Sequence, residues 1–173
     1  MGLFSRKKSA PEIVAKFCDD VKAIAKKSPF HDSSREQILQ SELLPFAFLL
    51  FDSALYAAGK NRYAYQEQMS KFLSSQKMAP DFDSRINFYA QFMNGKEANM
   101  FYWLSDRNDM KGNPLVQVTG AFCDMLYDTS MKDNYDSAPL MIYGIDKVMM
   151  FVQNVFMPVY QTVGQYIKDI QSL

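Results

Sequence analysis

Apolar residues run through the carboxyl-terminal third of the chain in an unbroken order. Ile145, Met149, Val152, Phe156, Val159, Val163, Tyr166 and Ile170 follow one another at alternating steps of four and three residues. That spacing places all eight side chains on one side of a single helix. Ser137 stands where it can cap this helix, and Pro139 falls in the first turn, where a missing N–H costs no hydrogen bond. Pro158 lies off the seam and Gly164 one step from it, so a bend is expected without loss of the stripe. No other segment carries so long a periodic signal, and the remaining helices are expected to pack against it.

Five shorter patterns precede it. Ser9-Ala-Pro-Glu12 has capping-box spacing and opens a helix with the inner stripe Ile13, Val14, Phe17, Cys18, Val21 and Ile24. Lys26 and Lys27 sit at its negative end and Pro29 stops it. A second capping box, Ser33-Ser-Arg-Glu36, leads through Ile38, Leu39, Leu43 and Leu44 to Pro45 and the run Phe46 to Phe51, with Gly59 closing the helix. Pro45 removes one backbone bond and predicts a kink or restart there. The half after Pro45 is apolar nearly all round, as befits a helix surrounded by others. A third helix begins near Asn61, turns Tyr65, Met69, Phe72 and Leu73 inward, and ends before Pro80. Asp81 and Asp83-Ser84 supply caps for a fourth with Phe82, Ile86, Tyr89, Phe92 and Met93, stopping at Gly95. Asn113-Pro114 opens a fifth with Leu115, Val118, Phe122, Met125 and Leu126. Residues 115–119 also alternate like a strand, but a lone strand would have no partner.

The expectation is an all-α fold, a single compact bundle of about six helices with a long C-terminal helix. Residues 1–8 form a flexible basic tail and residues 9–173 the bundle. With 173 residues, such a chain buries about 70% of its unfolded surface and needs no metal or disulfide to hold a core. Fourteen Phe, ten Tyr and twelve Met make that core aromatic and adaptable. The longest uncharged run in the apolar second helix, Leu43 to Phe51, has nine residues, against about twenty needed to span a bilayer.

Charge narrows the function classes. The net charge is zero, which argues against an electrostatic nucleic-acid binder. Bases gather in residues 1–30 and acids toward the carboxyl end, including Asp124, Asp128, Asp133, Asp136 and Asp146. Leu3 and Phe4 are the only apolar residues ahead of Arg6-Lys7-Lys8, so no secretory leader is read. Cys18 and Cys123 both have apolar neighbours, which suits two buried thiols in a reducing, cytoplasmic setting.

Candidate chemistry is sparse. His31-Asp32 spells the dipeptide of the helical HD phosphohydrolases, but that family's metal site needs several histidines and this chain has one. A nucleophile paired with histidine would also depend on His31 alone. Asp106 with Asp109, and Asp133 with Asp136, are the candidates for holding Mg²⁺. The helix of about fifteen residues between them is about 22 Å long, too far for one site. Lys111 stands where an EF-hand would require glycine. There is no Walker A loop, no G-x-G-x-x-G, no H-E-x-x-H and no C-x-x-C, so no cofactor is implied. The aromatic stretch Phe101, Tyr102 and Trp103 is the candidate contact surface, since such side chains dominate binding energy. The reading is a non-enzymatic cytoplasmic interaction or adaptor module with an unknown protein partner, itself a monomer or a homodimer. Two alternatives are a binder of an apolar small molecule or lipid in a Phe/Met-rich pocket, and a metal-dependent hydrolase using the loop aspartates.

Overall fold

The computed structural model describes residues 9–29, 36–61, 63–75, 79–93, 117–122 and 149–171. They form an all-α bundle: α1 (Ala10–Lys27), α2 (Glu36–Ala57), α3 (Tyr63–Ser75), α4 (Ala79–Met93), a helical segment α5 (117–122) and α6 (149–171). Among the described residues there is no strand, and the alternating residues Val118 and Thr119 lie in helix.

Helix α2 is the hub. It packs on α1, α4 and α6, while α1 also meets α3 and α6 and α3 meets α4. Leu39, Leu43, Leu44, Phe46, Ala47, Phe48, Leu50, Phe51 and Leu55 are all buried, as an apolar surface on nearly every side requires. The helix runs through Pro45 as one element rather than restarting there. Two aromatic groups radiate from it. Phe46 touches Tyr89, Phe122 and Phe156, with ring centroids 5.7, 5.7 and 4.8 Å away, joining α2 to α4, α5 and α6. Phe51 stacks on Phe17 at 4.8 Å and meets Tyr65 and Tyr166 edge-on, joining α2 to α1, α3 and α6. Each such ring pair adds about 0.5–1.5 kcal/mol beyond the area it buries.

Helix α1 follows its expected stripe, with Ile13, Val14, Phe17, Cys18 and Val21 buried and Ala25 taking a core seat that Ile24 only partly shares. At its start the Glu12 carboxylate reaches back to accept from the Ser9 N–H at 2.8 Å and from the Ser9 hydroxyl at 2.9 Å. Of the second capping box, residues 33–35 lie outside the described residues and Glu36 is the first residue of α2. Helix α4 begins at Ala79, so Pro80 serves its first turn instead of only ending α3. Asp81 and Asp83 then lie inside the helix rather than ahead of it.

The long C-terminal helix departs from its expected stripe in one place. Val152, Phe156, Val159, Val163, Tyr166 and Ile170 are buried, but Met149 is 41% exposed and Phe151 is fully buried. Pro158 lacks an N–H and its ring crowds the carbonyl four residues back. Just ahead of it the helix widens into a π-turn, Val152–Phe156, in which the Met157 N–H donates to the Val152 carbonyl five residues earlier. One extra residue in a turn delays the helical phase by about 100°. Upstream of the π-turn the inward position therefore falls on Phe151 instead of Met149. Asn154 Nδ2 donates to the Met150 carbonyl at 2.8 Å, giving that acceptor a side-chain donor where the ladder is disturbed. Ile145 lies outside the described residues.

Candidate functional site

The most exposed large aromatic side chains among the described residues flank one turn, between α2 and α3. Tyr56 is 70% exposed and Tyr63 is 72% exposed. The turn between them is tightly specified. Gly59 adopts φ +65°, a left-handed conformation that glycine takes at little cost. Its N–H donates to the Tyr56 carbonyl and the Lys60 N–H donates to the Leu55 carbonyl, both at 3.0 Å. Those two bonds make a Schellman motif, which satisfies the last carbonyls of α2. Asn61 Oδ1 then accepts from the Tyr63 N–H at 3.2 Å and caps the start of α3. The two tyrosines thus stand on a corner whose backbone is fixed by hydrogen bonds on both sides.

The charges around this corner are few. Between Asp52 and Glu67 the sequence carries Lys60 and Arg62 and no acid. Asp52 accepts from Gln66 Nε2 at 2.8 Å, and Glu67 pairs with Lys71 at 2.6 Å. Glu67 is thus charge-matched on its own helix, whereas Asp52 is held by a neutral amide and keeps its negative charge; among the described residues no carboxylate forms an ion pair with Lys60.

Two other polar groups are engaged inside the bundle. Arg85 Nε and Nη2 both reach Glu42 Oε2, at 2.8 and 2.7 Å, and the Tyr89 hydroxyl donates to the same oxygen at 2.6 Å. The guanidinium lies over the Phe88 ring at 4.3 Å. Burial, followed by the Glu42 charge, pushes the Tyr89 phenol well above its ordinary value, so it stays protonated and donating at neutral pH. This arrangement clamps α4 to α2. The Tyr166 hydroxyl donates to Asp20, which Lys16 also binds at 2.8 Å, and so fastens α6 to α1.

Cys18 is fully buried, and burial pushes its thiol up to about 12. Its Sγ sits 3.7 Å from Met69 Sδ. A thiol held protonated in a dry core is a packing group, since the thiolate is the nucleophile.

The sequence candidates Phe101, Tyr102, Trp103, Asp106, Asp109, Asp133 and Asp136, with His31 and Cys123, lie outside the described residues. Among the described residues no three His, Cys, Asp or Glu side chains gather as a metal-binding group. No helix among them is long and apolar enough to cross a membrane. Comparison with protein-family models, characterised proteins and solved structures finds no match for this chain. Sequence reasoning passed over Tyr56 and Tyr63 in favour of the richer aromatic run at 101–103. Their signal was nonetheless present: two tyrosines bracketing a turn that holds Gly59, Lys60 and Asn61.

Proposed function

We propose that this chain is a non-enzymatic protein-interaction module of the cytoplasm. The observation that carries the reading is the display of Tyr56 and Tyr63 on a hydrogen-bonded corner, each more than two-thirds exposed. Tyrosine supplies a large contact area with few torsions to freeze and a hydroxyl that pairs at the wet edge of an interface. A backbone fixed before binding leaves less freedom to lose on association. The inward-facing chemistry supports the same reading, because Glu42, Arg85, Tyr89 and Asp20 are spent on joining helices. Cys18, a buried thiol rather than a disulfide, suits a reducing compartment. The apolar-ligand and metal-hydrolase alternatives draw on no observation among the described residues, whose core rings are filled by one another.

The test is isolation of the tagged full chain from its own cells, followed by size-exclusion chromatography with light scattering. The reading predicts a discrete complex whose mass exceeds that of the chain or its dimer by one stoichiometric partner. A chain that runs alone and turns over a metabolite in an activity panel contradicts it.

A further inference from the structure

From Val148 to Ile167 the sequence carries no charged residue, and α6 holds nearly all of that run. Its inner side packs on α1 and α2. Its outer side is exposed at Met149, Met150, Gln153, Asn154, Gln161 and Gln165, which share one face about 25 Å long. The π-turn at Val152–Phe156 helps to align them, because the phase it adds turns Met149 outward, toward the amides. Helices α1 and α3 differ. They expose charged side chains such as Lys16, Asp19, Glu67 and Lys71, as the solvated side of an amphipathic helix does.

An uncharged face offers no counter-charge to a basic segment, an acidic one or a phosphate backbone. Lipid chains would strip water from the amides and return no hydrogen bond. A second copy of the same face does return them. An amide side chain is both donor and acceptor, so a row of amides complements itself without a matching row of opposite charge. The direction of pairing follows from Lys168, exposed at the far end of the face. Parallel pairing about a two-fold axis sets the two Lys168 side chains together. Antiparallel pairing sends them to opposite ends, each with its aliphatic stem beside the methionines of the other copy.

We propose that α6 pairs antiparallel with α6 of a second copy of this chain through this uncharged amide face. With the two-fold axis beside Met157, Gln153 of one protomer stands opposite Gln161 of its partner, and Met149 opposite Gln165. The inner stripe stays in the bundle core, so neither chain needs to rearrange. One helix pair is at the small end of interface sizes, and the dimer therefore forms as concentration rises instead of persisting at high dilution. This pairing goes beyond the interaction-module reading and does not depend on Tyr56 or Tyr63.

Sedimentation velocity of the full chain over a concentration series tests this. The parent is expected to shift from monomer to dimer as concentration rises. Gln153→Glu with Gln161→Glu sets carboxylate against carboxylate and should weaken the dimer about ten-fold or more. Gln153→Glu with Gln161→Lys sets opposite charges together in the antiparallel pair and should return dimerisation to at least the parental level. In a parallel pair the same change would set like against like. Both positions are exposed, so each variant should keep the helical circular dichroism of the parent. A parent that stays monomeric throughout overturns the proposal, as does a dimer indifferent to the Glu/Glu change, which places the contact elsewhere. A Glu/Lys variant weakened as much as the Glu/Glu one overturns it too, since the helices then do not run antiparallel. A monomeric chain bound to one copy of a different cellular protein overturns the pairing and leaves the interaction-module reading in place.

Discussion

The phenol of Tyr166, in the last helix, donates to Asp20 Oδ2 in the first at 2.7 Å, across 146 positions of sequence. The same ring meets Phe17 edge-on at 5.5 Å, so one side chain closes the bundle with both an apolar face and a polar tip. Tyr166→Phe keeps the ring and removes the bond. It should cost about 0.5–1 kcal/mol in urea unfolding, less than a buried bond to a charged group because Asp20 stays partly in water. A double cycle with Asp20→Asn should show that the two changes are not additive.

Alkaline pH should act through Tyr89 and Tyr166. Both phenols are raised above the ordinary value of 10.0, by burial first and then by the carboxylates that they donate to. A raised acid binds its proton more tightly in the folded chain than in the unfolded one. Its contribution is therefore complete below pH 10 and is lost as pH climbs from there toward the folded value. Thermal stability should fall as pH rises above 10, and Tyr89→Phe should fall less steeply than the parent. Equal slopes for the two proteins would contradict the linkage.

The Glu42–Arg85 pair should be expensive to break from one side. Arg85→Leu strands a mostly buried carboxylate and should cost about 3 kcal/mol, while Glu42→Leu with Arg85→Leu should recover much of that loss. The Tyr89 hydroxyl loses its acceptor in the double variant, so Tyr89→Phe on that background should be close to neutral. Denaturant midpoints of the four proteins decide the matter.

The phase of α6 is tested by two adjacent truncations. Phe151→Ala should cost about 3–5 kcal/mol, as removal of a buried ring does. Met149→Ala should change stability by about 0.5 kcal/mol or less, as at an exposed position. The uninterrupted heptad read from the sequence predicts the opposite ranking, because it turns Met149 inward.

Cys18 should resist alkylation by iodoacetamide in the folded chain and react fully once urea unfolds it. Its thiol, raised to about 12 by burial, forms little thiolate at neutral pH. Peptide mass mapping reads Cys18 separately from Cys123.

These tests also show where sequence periodicity was sufficient and where it was not. The inner faces of α1 and α2 were legible because each repeats over several turns and neither depends on a distant residue. The Gly59 stop and Asn61 start were legible because turn chemistry is local. Met149 was misplaced because the heptad count assumes a constant turn, and Pro158 widens one. Pro80 was taken as a stop for α3, since proline suits the first turn of the next helix as well as the end of the last. The clamp of Glu42, Arg85 and Tyr89 could not be foreseen, because it joins helices whose relative rotation no local pattern sets. Tyr56 and Tyr63 were overlooked for the complementary reason: their exposure is set by how the helices pack in three dimensions, and helical spacing does not record that.

The account stands on α6 being an integral wall of the bundle, and native-state amide hydrogen exchange on the full chain measures this most directly. The amides of Met157–Gln171 should be protected to the same free energy as the cores of α1 and α2, since all three lose their protection together when the aromatic groups come apart. Exchange of that helix at the rate of a free peptide, while α1 and α2 remain protected, would contradict the account.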